Sequence, residues 1–181
     1  MHEKTTNESL HTVKNLNSGD LFLKFGKPCV EIGMLIKGIM RGFVYDNEGN
    51  EITTHFYQEG DMIIGSFIPN TNVAMTVEAL ENCEISVANY SEVMSNVNKD
   101  KEITDVITKQ FQKLNNQLQS RLVALLNLNS LEKYELFLKE YSSLINRIPH
   151  YYIANYLGIT PTQLSRARKQ LIDKERSKTQ K

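Results

Sequence analysis

The stretch IPHYYIANYLGITPTQLSRARKQL, residues 148–171, decides how this chain is read. Pro149 suits the first turn of a helix, where its missing N–H costs nothing. Ile153 and Leu157 follow on one face, with the small Ala154 placed where a second helix must cross closely. Gly158 can take the positive φ that ends a helix sharply, and Ile159 buries in the turn. Thr160-Pro161 restarts a helix, Thr as N-cap and Pro at the first helical position. Leu164, Ala167 and Leu171 form its inward stripe. Thr162, Gln163, Ser165, Arg166 and Lys169 then point outward, with Arg168 at the margin. Such side chains donate to phosphates and base edges. Arg166 lies one turn in, where a recognition helix meets bases. The expectation is a helix-turn-helix. The competing reading is a plain αα-hairpin with a solvated outer face.

Charge supports the first reading. The formal net charge of zero hides an asymmetry. Residues 1–105 carry eight Lys/Arg against sixteen Asp/Glu, a balance of −8. Residues 106–146 carry five against three, and residues 147–181 carry eight against two, a balance of +6. A polyanion is repelled by the first half and attracted by the end that holds the helical pair.

Upstream, to about residue 90, the pattern is one of short strands between turns: LFLKF (21–25), CVEIGMLI (29–36), IMRGFVY (39–45), EITTHFY (51–57), MIIGSFI (62–68), AMTVEAL (74–80) and CEISVAN (83–89). Their even spacing predicts a sandwich or jelly roll rather than a parallel sheet. Ser91 reads as an N-cap for EVMSNV. From about Ile103 the pattern becomes one long helix. Ile107, Phe111, Leu114, Leu118 and Leu125 fall at alternating spacings of four and three, with Arg121 at the one polar position, which predicts a heptad seam for a parallel dimer. Packing against its own β domain is the alternative for that face. Asn129 or Ser130 caps the next helix, LEKYELFLKEYSSLI, and the tail DKERSKTQK is expected to fray. The expected domains are a β-roll over 1–100, a dimerisation helix over 101–128 and a helix-turn-helix domain over 129–181. The fold class is α+β, with an N-terminal double-stranded β-helix or jelly roll.

This order of β-roll, long helix and helix-turn-helix resembles the cyclic-AMP receptor protein (Crp/Fnr) family of bacterial transcription regulators. The resemblance spans about Asn17 to Leu171. It rests on KGIMRGFVYDNEGNEITTHFYQEGD (37–61) and on the quoted stretch, which is similar to the short variants of Bacteroidetes-type members. It implies a homodimer that places paired recognition helices on an inverted-repeat DNA operator, with RNA polymerase as a further partner and a small-molecule effector in the roll. It also implies that Arg166 reads a base, that Thr160 holds a phosphate and that Thr162 and Gln163 lie at the groove. Cyclic-nucleotide binders of the family carry a Gly-Glu pair and, shortly after, an Arg followed by Ser or Thr. Here those regions read Gly65-Ser66 and Asn72-Val73-Ala74-Met75, with no basic residue. Burying a phosphate without a cation is costly. The expectation is therefore no cyclic-AMP binding in the usual mode. Gly65, Ser66, Phe67, Val73, Ala74 and Met75 remain as the pocket of an apolar or neutral effector, unless they simply fill the roll. The chain also ends soon after Leu171, so the usual β-hairpin wing is expected to be reduced. Lys174, Arg176 and Lys178 then supply phosphate contacts.

Other chemistry finds little support. Two cysteines, Cys29 and Cys83, cannot fill the usual four-cysteine cluster set. His55 and His11 have no recognisable haem or metal partners around them, and a cupin-type metal enzyme would need several converging histidines. P-loop, GxSxG and HExxH motifs are absent from the sequence. No catalytic residue, metal or cofactor is expected. The polar start MHEKTTNESLH and the lack of any apolar run near ~20 residues predict a cytoplasmic protein without signal peptide or membrane span. A pure interaction or sensor protein that has lost DNA binding is the main functional alternative.

Overall fold

A computed structural model describes residues 11–68 and 71–179. The polar start of the chain, Pro69-Asn70 of one expected turn and the side chain of Lys178 lie outside the described residues. The chain divides into two compact units, one formed by Met1–Val44 and Phe56–Gln110, the other by Tyr45–His55 and Phe111–Lys181.

The described strands form two four-stranded sheets, of which residues 51–55 belong to the second unit. One has the order β1 (Thr12–Leu16), β8 (Cys83–Asn89), β3 (Glu31–Lys37), β6 (Met62–Ile63). The other has the order β2 (Leu21–Leu23), β7 (Thr76–Ala79), β4 (Met40–Tyr45), β5 (Glu51–Tyr57). Strand alternation places Leu35, Ile63, Ile85 and Val87 on the inner face of the first sheet, where all four are buried. Met40, Val77 and Ala79 supply the inner face of the second. The first turns of the helical region, α1 (Tyr90–Asn96) and the start of α2 (Lys101–Asn127), contribute Tyr90 and Ile107 to the same core.

Several elements differ from the expectation. β1 was not anticipated, because TVKNL is exposed along almost its whole length and shows no apolar alternation; pairing with β8 from Thr12↔Val87 to Leu16↔Cys83 sustains it. MIIGSFI contributes only the two residues of β6. α1 begins two residues earlier than Ser91 as N-cap would allow, because the Asn89 side chain accepts from the Glu92 N–H at 3.1 Å and is itself the N-cap.

The helical elements of the second unit are the later part of α2, α3 (Ser130–Tyr141), α4 (His150–Leu157) and α5 (Pro161–Thr179). Asn129 caps α3 in a capping box, accepting from Leu131 and Glu132 while Glu132 accepts from the Asn129 N–H at 2.9 Å. α3 stops at Tyr141 rather than running to Ile145. The tail expected to fray from Asp173 is helical as far as Thr179. α5 thus runs through 19 residues, and Lys174 pairs with Glu135 of α3 at 2.7 Å in its added turns.

Candidate functional site

The pair α4–α5 has the turn chemistry its sequence requires. Gly158 ends α4 in the left-handed conformation, with φ +62°, and its N–H returns to the carbonyls of Ala154 and Asn155. A Cβ added at Gly158 would stand 3.0 Å from Leu125 Cδ2, so both conformation and space favour glycine. Thr160 caps α5. Its hydroxyl accepts from the Gln163 N–H at 3.2 Å, and the Gln163 carbonyl oxygen accepts from the Thr160 N–H at 2.8 Å. Leu164 and Ala167 are buried beneath the helix.

The outer face of α5 is open to solvent at Thr162, Gln163, Ser165, Arg166 and Lys169. Two residues assigned to that face have other duties. The Gln163 amide is engaged in the cap. Arg168 is half-buried and turned back onto the His150 ring, with Tyr134 near enough for its phenol to feel the guanidinium. Burial pushes the Tyr134 phenol up, and Arg168 pulls it back. Arg166 and Lys169 are thus the exposed cations of the first three turns.

The expected seam on α2 separates into two rows. Ile107 is buried in the core of its own unit, and Leu114 and Arg121 are half-buried on the same heptad row. Phe111, Leu118 and Leu125 are exposed, joined by Leu122, Val123 and Leu126. Arg121 therefore does not interrupt the apolar row. It turns inward and donates to the Thr53 carbonyl at 2.8 Å, the Thr54 carbonyl at 2.9 Å and the Tyr156 carbonyl at 3.1 Å. Its guanidinium lies 4.3 Å over the Tyr156 ring. Burial lowers its pKa, with Tyr156, Tyr141 and Glu140 acting against the shift. Nearby, burial pushes the Glu140 carboxyl up, opposed by Gln117, Tyr141, Lys113 and Arg121. Asn155 was also missed. Its side-chain oxygen accepts from the Thr53 N–H at 2.6 Å, and its amide nitrogen donates to the Glu51 carbonyl at 2.9 Å.

In the roll, Val73 is buried in the core, and Phe67 and Met75 pack against it. Gly65 is closely surrounded: a Cβ there would meet Val73 Cγ2 at 2.6 Å and Cys29 Sγ at 3.1 Å. Ser66 closes its own loop, accepting from the Ile68 N–H at 3.0 Å and contacting Thr71. Ala74 is exposed. The Tyr57 hydroxyl donates to Met75 Sδ at 3.7 Å, and burial with Asp61 nearby pushes that phenol strongly up. Arg41, 1% exposed on β4, pairs with Glu78 of β7 through Nε and Nη2, each at 2.8 Å. The two cysteines are buried and free. Among the described residues no group of three or more His, Cys, Asp or Glu is placed to hold a metal ion, and no helix is long and apolar enough to cross a membrane.

Comparison with known proteins fits this geometry. Residues 13–100 match the cyclic nucleotide-binding domain family. No curated protein matches the sequence. Among solved structures the chain is similar to FixK2 from Bradyrhizobium japonicum, with a TM-score of 0.82 and 16% identity over 91% of this chain and 86% of that one. It is similar to the c-di-GMP responsive global regulator CLP of Xanthomonas campestris, with a TM-score of 0.73 and 15% identity over 92% and 88%. It is also similar to a transcriptional regulator of the crp/fnr family from Eubacterium rectale, with a TM-score of 0.70 and 16% identity over 90% and 79%. Residues 13–100 are therefore similar to the cyclic nucleotide-binding domain, and the chain has the fold of these solved structures.

Proposed function

We propose that this protein is a homodimeric, sequence-specific DNA-binding transcription regulator, acting on an inverted-repeat operator in the cytoplasm and in concert with RNA polymerase. One observation carries the reading: the outer face of α5, with Arg166 and Lys169, stands free above a buried Leu164–Ala167 stripe in a correctly capped helix-turn-helix. Thr160, Thr162 and Ser165 supply phosphate and groove contacts, and Arg176 extends the basic face along α5, while Lys174 is engaged by Glu135 of α3. The exposed row Phe111, Leu118 and Leu125 is completed by the same row of a second copy. The reading is tested by selecting sites from random duplex DNA with the native protein and with Arg166→Ala. The native protein is expected to enrich an inverted repeat. Arg166→Ala is expected to lose about 1–3 kcal/mol at one base position of each half-site and to relax its preference there. Failure of the native protein to enrich any site would favour an interaction protein instead.

The roll is proposed as the seat of an apolar or neutral effector around Phe67, Val73 and Met75, which shifts the population between two arrangements of paired α2 helices. Cyclic AMP is not that effector in the usual mode. Ser66 stands where the family's nucleotide binders carry Glu, and its hydroxyl already serves the loop. The buried arginine of the roll already faces Glu78. Calorimetric titration with cyclic AMP is expected to give no saturable heat, and micromolar binding would refute this account of the pocket.

A further inference from the structure

We infer that Arg121 and Asn155 are positioning residues that fix the direction of the α5 helix by locking α2, β5 and α4 together at one point. The inference rests on the DNA-binding reading and adds the parts that aim the recognition helix. The tip of the β4–β5 hairpin, Tyr45–His55, clusters with the helical unit. Asn155 meets that tip as a neighbouring strand would, taking the Thr53 N–H and giving an N–H to the Glu51 carbonyl. Arg121 fills the adjoining carbonyls of Thr53 and Thr54 and, with its third donor, holds the Tyr156 carbonyl of α4.

The joint is directional. An amide that both accepts and donates fixes its own plane, and a guanidinium fork fixes three donors in a plane that also rests on the Tyr156 ring. Lysine has the charge without the fork, so charge alone does not rebuild it. From Asn155 the path to the reading face is short. Gly158 sets the turn from its left-handed conformation, with Leu125 of α2 against it, and Thr160 starts α5. A recognition helix aimed in this way finds both halves of an operator only when both copies hold the same angle, because half-site spacing mirrors the protein's symmetry.

The test compares the native protein, Arg121→Lys and Asn155→Ala on two duplexes, one with the selected inverted repeat and one with a single half-site. Amide hydrogen exchange at Thr53 is followed in the same samples. Both variants are expected to lose about tenfold or more in affinity for the inverted repeat, within the usual 5–150-fold range of coupling between sites. Half-site affinity is expected to stay within about twofold, because the reading face is untouched. Exchange at Thr53 is expected to speed up in Asn155→Ala. An unchanged ratio between the two duplexes overturns the inference, as does an equal loss on both, which would mark ordinary damage to the helical unit. Tighter binding by either variant overturns it too. If the native protein binds neither duplex, the DNA-binding reading fails by itself, and Thr53 exchange still decides whether the lock exists. Unchanged exchange in Asn155→Ala refutes it.

Discussion

Arg41→Ala is expected to destabilise the roll by about 3–5 kcal/mol, the cost of breaking a buried ion pair from one side. Arg41 is only 1% exposed, and the Glu78 side chain opposite it is 16% exposed. The strand register places the two directly across from each other on β4 and β7, so the contact needs no unusual rotamer. The guanidinium also lies 4.3 Å over the Phe43 ring, two residues along the same face. Alanine removes the cation from a carboxylate held in a poorly solvated place and leaves the ring uncovered. Urea unfolding followed by circular dichroism measures the loss. A second variant, Arg41→Met with Glu78→Leu, is expected to recover most of it, because a shape-matched apolar pair carries no desolvation cost. A loss below about 1 kcal/mol for Arg41→Ala would place the pair among weak surface contacts and refute the argument.

Phe137→Ala is expected to cost about 3–5 kcal/mol in the helical unit, as large-to-small changes of buried aromatic residues do. Phe137 of α3 is 1% exposed. Its ring centroid lies 5.1 Å from Tyr141 and 5.8 Å from Tyr156, and those two rings meet edge to face at 5.9 Å. Tyr156 is in turn the ring beneath Arg121. Alanine therefore opens a cavity among three rings and loosens the floor of the joint at once. Denaturant unfolding read by near-ultraviolet dichroism reports on these tyrosines directly. Phe137→Leu, closer in volume, is expected to cost less than the alanine variant. Equal stability of native and Phe137→Ala proteins would contradict the packing described.

The helical pair was legible because its signals are local. Gly158, Thr160-Pro161 and the spacing of Leu164 and Ala167 all act within a turn or two of their own position. The resemblance to Crp/Fnr regulators rested on the same local marks, set in the order of the whole chain. What escaped is non-local. β1 has no pattern of its own and exists through β8. Arg121 looked like a flaw in a seam, because its partners Thr53 and Thr54 lie 68 and 67 residues away. Asn155 has its partners at separations of 102 and 104 residues, beyond any periodicity. The segment proposed to hold an effector was legible only as a departure: the missing Glu and Arg could be read, whereas the close contact of Gly65 with Val73 and Cys29 needed the fold.

The contacts to β5 have a second consequence. β5 ends its sheet, and an edge strand offers backbone groups on which another chain can add itself. Asn155 and Arg121 occupy the Glu51 carbonyl, both backbone groups of Thr53 and the Thr54 carbonyl. The same side chains that aim α5 thus seal the stretch of edge nearest the hairpin tip. Releasing them would leave that stretch of β5 open to strand addition by another chain.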